Sequence, residues 1–452
     1  MSRAPDSMSQ STRLESLRVA LGSGTMLHVR RLVNTLNPAE LADLLESLPP
    51  AQREIVWELV NAEDQGDILV ELNDEVRNSL ISGMDSEQIV AAATHLDLDD
   101  LADLLADLPE TVYREVLRSL DASDRLRVQA VLQYDEDSAG GLMDPDTVTV
   151  RPDASVEVVL RYLRMRREIP TGTDAVFVVN RHGDYLGCLF ITKLITSDPD
   201  QVVSALMDVD IPAIQASEPA SQVVTLFDNY DLVSAAVIDE HGKLLGRITV
   251  DDVVDVMRDE ASHFVLSMAG LDEDDDMFAS VAVSARRRSI WLGVNLATAF
   301  LAAWVAGLFE ATLESVVMLA ILMPVVPSMG GIAGSQTLIL ITRGLALGQI
   351  ERSNARWLLG KEFGVALLNS LGWASVVAVV STWWFGIWQI GLVIALALAA
   401  NLLVAAVAGV IIPLTLKRLR IDPALAGGVV LTTITDVVGL LAFLGFGTLI
   451  LL

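Results

Sequence analysis

The apolar positions along the chain fall into three regimes. From about residue 286 to the C-terminus they run almost unbroken, in stretches of roughly the 20 residues that cross a bilayer's hydrocarbon. Five spans are predicted: about Ile290–Leu308, Val316–Ile341, Phe363–Trp383, Ile387–Leu416 and Ala426–Leu452. Over residues 37–135 the apolar positions recur instead at helical spacing, in short segments broken by Pro, Asn and Asp. LADLL occurs at Leu41–Leu45 and again at Leu101–Leu105, each copy followed by Leu-Pro. Such self-similarity predicts stacked helical hairpins, a small superhelix. Over residues 136–250 β-branched runs flank Gly turns. VFVVNRHGDYLGCLFITKL (Val176–Leu194) is echoed by AAVIDEHGKLLGRITVDDV (Ala235–Val253), with the two His-Gly pairs 59 residues apart. Each copy reads strand, turn, strand, helix start. His182 and His241 are read as solvated turn residues.

Charge divides the chain at the same place. Residues 286–452 hold 10 Lys and Arg against 6 Asp and Glu, which of the chain's 31 and 59 leaves 21 and 53 for residues 1–285, a net charge of −32. An acidic front argues against nucleic acid, which needs a basic footprint, and for cations as partners. The basic residues also orient the spans. Arg286, Arg287 and Arg288 precede the first, Arg343, Arg352, Arg356 and Lys361 lie between the second and third, and Lys417, Arg418 and Arg420 lie between the fourth and fifth. The positive-inside rule then puts the N-terminus in the cytoplasm and the C-terminus outside. An odd number of spans implies that a pore needs a second copy of the chain. The single cysteine, Cys188, excludes an internal disulfide. The first twenty residues lack the apolar core of a signal peptide.

Two stretches within the apolar half carry chemistry. LTTITDVVGLLAFLG, Leu431–Gly445, holds one carboxylate, Asp436, and no span contains a Lys, Arg or His to pair with it. A charge at mid-bilayer costs about 2.5–3.5 kcal/mol on insertion scales, so it is expected to line a polar path. Thr432, Thr433 and Thr435 add hydroxyls to that lining. MPVVPSMGGIAGSQT, Met323–Thr337, places Pro324, Pro327, Gly330, Gly331 and Gly334 at membrane depth. It is read as a broken helix lining a cavity, or as small residues for close helix packing. Asn295, Asn369 and Asn401 are read as interhelical hydrogen-bond partners. A hard divalent cation suits a lone carboxylate. Magnesium takes oxygen ligands, keeps several waters and is held through one or two carboxylates, which two Asp436 side chains facing across a two-fold axis would supply. Between the two halves, Asp252, Asp255 and Asp259 share one face of a helix. The later DEDDD, Asp272–Asp276, is read as solvated linker.

YDEDSAGGLM (Tyr134–Met143), the two repeats that look like a CBS pair, GGIAGSQ (Gly330–Gln336), RGLALG (Arg343–Gly348), IDPALA (Ile421–Ala426) and TDVVGLL (Thr435–Leu441) occur in this order. In that order they resemble the MgtE family of bacterial magnesium channels, over about residues 37–452. The resemblance implies a multidomain membrane protein. Its parts are an α-helical superhelical N domain (37–135), an α+β tandem CBS pair (136–250), a connecting plug helix with an acidic linker (251–280) and a five-span α-helical transmembrane domain (286–452). Residues 1–36 lie outside it and are read as partly disordered. It also implies a homodimer in the bacterial inner membrane. The pore would run between the second and fifth spans, lined by Gly330, Gly331, Gly334 and the three threonines, with the ion at Asp436. Cytosolic Mg2+ would close it through Asp99, Asp103, Asp231, Asp252, Asp255, Glu260 and Asp422.

Three positions depart from the family's pattern. Ile332 replaces the Asn of its GGNxG motif, Ser262-His263-Phe264 replaces an acidic pair, and Lys193 stands where an Asp would meet the ribose of an adenine nucleotide. The last argues against nucleotide on the CBS pair. Transport of cobalt or manganese, cation exchange, and a membrane-anchored sensor are the competing readings. No Cys or Met cluster marks a soft-metal site, and no nucleophile–base arrangement marks an enzyme.

Overall fold

The computed structural model describes residues 26–452 apart from 95, 107, 168, 272–275 and 351–352; the first 25 residues, within the segment read as partly disordered, lie outside the described residues. Contacts divide the chain into two units. The first comprises residues 1–261 and 274–279, the second 262–273 and 280–452.

Among its described residues the first unit opens with nine short helices: α1 (Met26–Val33), α2 (Pro38–Glu46), α3 (Pro50–Trp57), α4 (Gln65–Val70), α5 (Asp74–Ile81), α6 (Ser86–Ala93), α7 (Leu98–Ala106), α8 (Glu110–Ser119) and α9 (Ala122–Val131). Their starts are written in side chains. Asn37 and Glu40 form a capping box on α2, Asp85 and Gln88 another on α6, while Asn73 and Asp121 cap α5 and α9. These contacts satisfy amides that a helix start leaves without partners. The two LADLL copies occupy α2 and α7 and bury the same four positions, Leu41, Ala42, Leu44, Leu45 and Leu101, Ala102, Leu104, Leu105. The Tyr134–Met143 motif is a turn that needs its glycines. A Cβ on Gly140 would sit 2.3 Å from the Tyr134 ring, and one on Gly141 2.4 Å from the Asp135 carbonyl.

The CBS-like repeats follow as two copies of one topology. In the first, β1 (Thr149–Val150) runs parallel to β2 (Ala175–Val179), which pairs antiparallel with β3 (Tyr185–Phe190); α10 (Val156–Arg166) connects β1 to β2 and α11 (Ile191–Thr196) follows β3. After the short α12 (Val203–Leu206), β4 (Ile214–Gln215), α13 (Ala220–Tyr230), β5 (Ser234–Ile238) and β6 (Leu244–Thr249) repeat the pattern. The two hairpins bond each other reciprocally: the Tyr185 amide donates to the Gly242 carbonyl at 2.9 Å and the Leu244 amide to the Gly183 carbonyl at 3.1 Å. His182 and His241 sit in those turns, exposed. The last helix, α14 (Val250–Ser267), is the connecting helix.

Among its described residues the second unit contains five helices or helix pairs long and apolar enough to cross a membrane. They are α15 (Val281–Gly307), α17 (Met318–Leu322) with α18 (Val325–Ala346), α19 (Ala355–Phe385), α20 (Trp388–Arg418) and α21 (Pro423–Leu451); the short α16 (Glu310–Ser315) lies between the first two spans. Each helix extends beyond the apolar stretch that predicts it at one end or both. The second span is interrupted once, at Met323–Pro324. The glycine run after that point, read as a possible break, is continuous helix instead. Asn401 makes the expected interhelical bond, its Nδ2 donating to the Val326 carbonyl at 2.9 Å. Asn295 and Asn369 do not; both are exposed on the outer surface of this unit.

Candidate cation path and acidic control region

Helix α21 carries two neighbouring stripes at four-residue spacing. Gly427, Leu431, Thr435, Gly439, Phe443 and Gly447 are buried against the rest of the unit. Gly428, Thr432 and Asp436, one position round the helix, are half-buried. No described residue bonds the Asp436 carboxylate and no charged group stands beside it. The threonines predicted to line a path with it spend their hydroxyls locally. Thr432 donates to the Gly428 and Val429 carbonyls (both 3.1 Å), Thr433 to Val429 (2.7 Å) and Thr435 to Thr432 (3.0 Å). Thr435 is 0% exposed, so within one chain it packs rather than lines.

The glycines of α18 show the same division. A Cβ on Gly330 would fall 2.1 Å from Asn401 Nδ2, and one on Gly334 2.9 Å from Leu431. Both are contact points between helices, α20 and α21 respectively. Gly331 is half-buried and open to Thr435 Oγ1 at 4.0 Å, and its neighbour Ile332 is 58% exposed. Gly409 on α20, against Thr337 and the Gly334 carbonyl, and Gly439, against Asn401, complete the seam.

The soluble acids gather more closely than their positions in sequence suggest. Burial, then the charges of Asp100, Asp144 and Asp252, push the Asp99 carboxyl up to about 8. Burial, followed by Asp97, Asp103 and Asp252, raises Asp100 to about 7. Burial raises Asp252 to about 6 although its carboxylate accepts from the Thr249 amide (3.0 Å) and hydroxyl (2.9 Å). Burial also raises Asp255 and Glu71, and the Asp255 charge adds to the rise at Glu71. One oxygen of Asp99 is buried with no hydrogen-bond partner. An orphaned carboxylate oxygen among other carboxylates is the environment a hard cation relieves. Among the described residues, however, no three His, Cys, Asp or Glu side chains are already placed to close around an ion. Of the predicted regulatory acids, Asp99, Asp103, Asp252 and Asp255 belong to this region. Glu260 lies about one and a half turns beyond Asp255 along α14, and Asp231 is the exposed, left-handed C-cap of α13 (φ 51°). Asp100 and Glu71 were not singled out; Asp100 stands beside Asp99 in the same LDDLAD.

Asp422 belongs to the second unit. It is the N-cap of α21, accepting from the Ala424 amide at 2.9 Å and the Leu425 amide at 3.2 Å. His263, near the end of the connecting helix, places Nε2 3.2 Å from Asp422 Oδ2, the oxygen that also accepts from the Leu425 amide. His263, within the Ser262-His263-Phe264 departure, thus touches Asp422 directly. The second unit also buries an acid that its sequence hid. Glu362, 6% exposed, accepts from Lys361 Nζ at 2.7 Å and from the Thr337 hydroxyl on α18 at 3.3 Å. It escaped notice because the apolar run begins one residue later, at Phe363.

A helical acidic domain, a CBS pair and a five-helix apolar unit with an unpaired carboxylate define a multi-pass membrane protein of the cation-transporting kind. Three family models match: a divalent cation transporter over residues 323–446, the MgtE intracellular N domain over 36–137, and the CBS domain over 139–197 and 203–259. The chain is 31% identical over 441 residues to the magnesium transporter MgtE of Thermus thermophilus, covering 96% of this chain and 98% of that one. It is 29% identical over 430 residues to the magnesium transporter MgtE of Bacillus subtilis, covering 95% of each. Among solved structures, the cytosolic domain of the Mg2+ channel MgtE in complex with ATP aligns at 31% identity and a TM-score of 0.49, over 54% of this chain and 99% of that one. The chain belongs to the MgtE family.

Proposed function

We propose that this protein is a magnesium-selective uptake channel of the bacterial inner membrane, working as a homodimer. The observation that carries the reading is Asp436: a half-buried carboxylate on a membrane helix with no counter-charge, in a chain whose relatives are named magnesium transporters. Two copies facing across a two-fold axis provide two carboxylates for a hydrated Mg2+. Gly331 and Thr432, half-buried near the acid, supply the adjoining surface. An inside-negative potential favours entry by about 2.3 kcal/mol per charge per 100 mV, twice that for a divalent ion. The basic clusters before α15, between α18 and α19 and between α20 and α21 put the N-terminal unit in the cytoplasm and the C-terminus outside.

Cytosolic magnesium closes the channel by binding the Asp99, Asp100, Asp103, Asp252 and Asp255 region more tightly in the closed state; that difference in affinity is the gating energy. Asp231, Glu260 and Asp422 act as further ligands where a second copy or a domain shift brings other acids to them. At Asp422 the His263 contact is already in place. Lys193, exposed at the start of α11, disfavours an adenine nucleotide in the first repeat.

The test is Mg2+ flux into proteoliposomes under an inside-negative potential, comparing wild type with Asp436→Asn. Flux in wild type and its loss in the folded variant is expected. Equal flux in both would make Asp436 structural. No flux from wild type at low internal magnesium would favour a sensor. Preference for cobalt or manganese, or an electroneutral pH-dependent flux, would move the assignment to those ions or to exchange.

A further inference from the structure

The connecting helix ends at Ser267 and the first membrane helix begins at Val281. The acidic stretch between them reads as solvated linker, yet the structure gives one of its carboxylates the opposite environment. Asp276 is 8% exposed and its partner, Arg53 on α3, is 1% exposed. The Arg53 guanidinium donates from Nε to the Leu45 carbonyl at 3.0 Å and from Nη2 to the Leu48 carbonyl at 3.1 Å and to Asp276 Oδ2 at 3.0 Å. The Asp276 amide donates to the Glu75 carboxylate at 2.8 Å, and Asp276 Oδ1 accepts from the Phe278 amide at 2.8 Å. Every one of these partners lies in the soluble unit. Residues 274–279 are grouped with that unit, although 262–273 before them and 280–452 after them are not.

Exposed ion pairs hold little, whereas a buried guanidinium needs its partner. Arg53 satisfies two carbonyls at the C-terminal end of α2, where a helix leaves acceptors open. It takes its counter-charge from 223 residues further along the chain. The N domain is therefore tied to the polypeptide a few residues ahead of α15.

We infer that the Arg53–Asp276 clasp is a strap, coupling movement of the N domain to the first membrane span along a route that bypasses the CBS pair and the connecting helix. The strap is closed by protein groups alone. It holds whether magnesium is abundant or scarce, and it transmits whatever the N domain does when the acids near Asp99 bind metal. The inference rests on the proposed response of the N domain to Mg2+ near Asp99, and uses the channel reading for its flux readout.

The experiment uses the full-length protein in proteoliposomes and two variants. Asp276→Asn weakens the clasp. Insertion of six Gly and Ser residues between Ala279 and Ser280 leaves the clasp intact and slackens the chain beyond it. Hydrogen exchange over residues 285–292 is followed with and without Mg2+, beside flux. In wild type, Mg2+ is expected to change exchange there by about threefold or more, with amides Asp276 and Phe278 protected throughout. Both variants should lose that response, and should need about fivefold more internal Mg2+ for half-closure. If Asp276→Asn shifts closure and the insertion does not, the clasp is merely structural and the strap is overturned. It is equally overturned if neither variant differs from wild type. If wild type carries no Mg2+ at all, the channel reading falls, while the exchange response at 285–292 and its loss on insertion still decide the strap.

Discussion

Asp436 and Asp99 are both carboxylates withdrawn from water, and their surroundings give them different work. Asp436 has no charged neighbour among the described residues, which is why the proposed function gives it an ion as partner. Asp99 sits among Asp100, Asp144 and Asp252, and repulsion adds to burial in holding it protonated to about pH 8. Because the folded-state values of Asp99, Asp100 and Asp252 (about 8, 7 and 6) lie above the ordinary carboxylate value, the folded form holds more protons than the unfolded one between about pH 4 and 8. Stability therefore falls as pH rises through that window. Without divalent ions, the soluble unit should melt progressively lower between pH 5 and pH 8.5. Added Mg2+ should recover more at pH 8.5, where it has no proton to displace, than at pH 5.5. A melting point that stays flat or rises with pH would show that the cluster is already neutralised. At this scale the sequence was informative where a residue was alone in kind. Asp436 is the one acid in its stretch, whereas Asp276 is the last of a run of acids and nothing in that run tells the buried one from the solvated. Asp100, next to Asp99 in the chain, was passed over because burial, not spacing, sets it apart.

The elements follow from periodicity wherever one face had to be buried. The LADLL helices show matching burial in both copies, and the His-Gly hairpins form two equivalent sheets. The second span departed from expectation because proline and glycine act differently there. Pro324, with no amide to donate, marks the break, whereas the glycines stay helical and let backbones approach. Gly330→Ala would drive a methyl group into Asn401 and break its bond to the Val326 carbonyl. Overpacking of this kind costs about 1–3 kcal/mol, so the detergent-solubilised protein should melt several degrees lower. Gly372→Ala, on a part of α19 with nothing within 4 Å, should melt as wild type does. Equal melting of the two variants would remove Gly330 from the seam. At the connecting helix, His263→Glu puts a carboxylate opposite Asp422. That variant is expected to close at lower internal Mg2+ than wild type in the flux assay, while His263→Ala should not; an unchanged or raised closing concentration for the Glu variant would show that Asp422 takes no part in metal-dependent closure.

The whole chain is a strongly negative soluble unit joined to a nearly neutral membrane one, and the imbalance has physical consequences of its own. Like charges oppose compaction of the soluble unit, and salt screens them over about 3 Å at 1 M compared with about 10 Å at 0.1 M. Raising KCl in the absence of Mg2+ should stabilise the soluble unit against heating, and Mg2+ should do so at concentrations lower by orders of magnitude if it binds specific acids. Comparable potency of the two salts would leave only general screening. This organisation was largely legible, since composition, repeat length and the placement of basic residues vary on the scale of domains. The clasp was not, because it joins two residues through burial that no local pattern announces. The glycine seam has one more consequence. Where α18, α20 and α21 meet, backbone touches side chain so closely that no methyl group fits, and the buried Asn401 bond would be left without water if the helices parted. Those three helices can therefore change place only as one body, and α19 goes with them, since a Cβ on Gly391 of α20 would lie 2.6 Å from the Ala378 carbonyl; the degrees of freedom left to the membrane unit belong to α15, which follows the acidic linker.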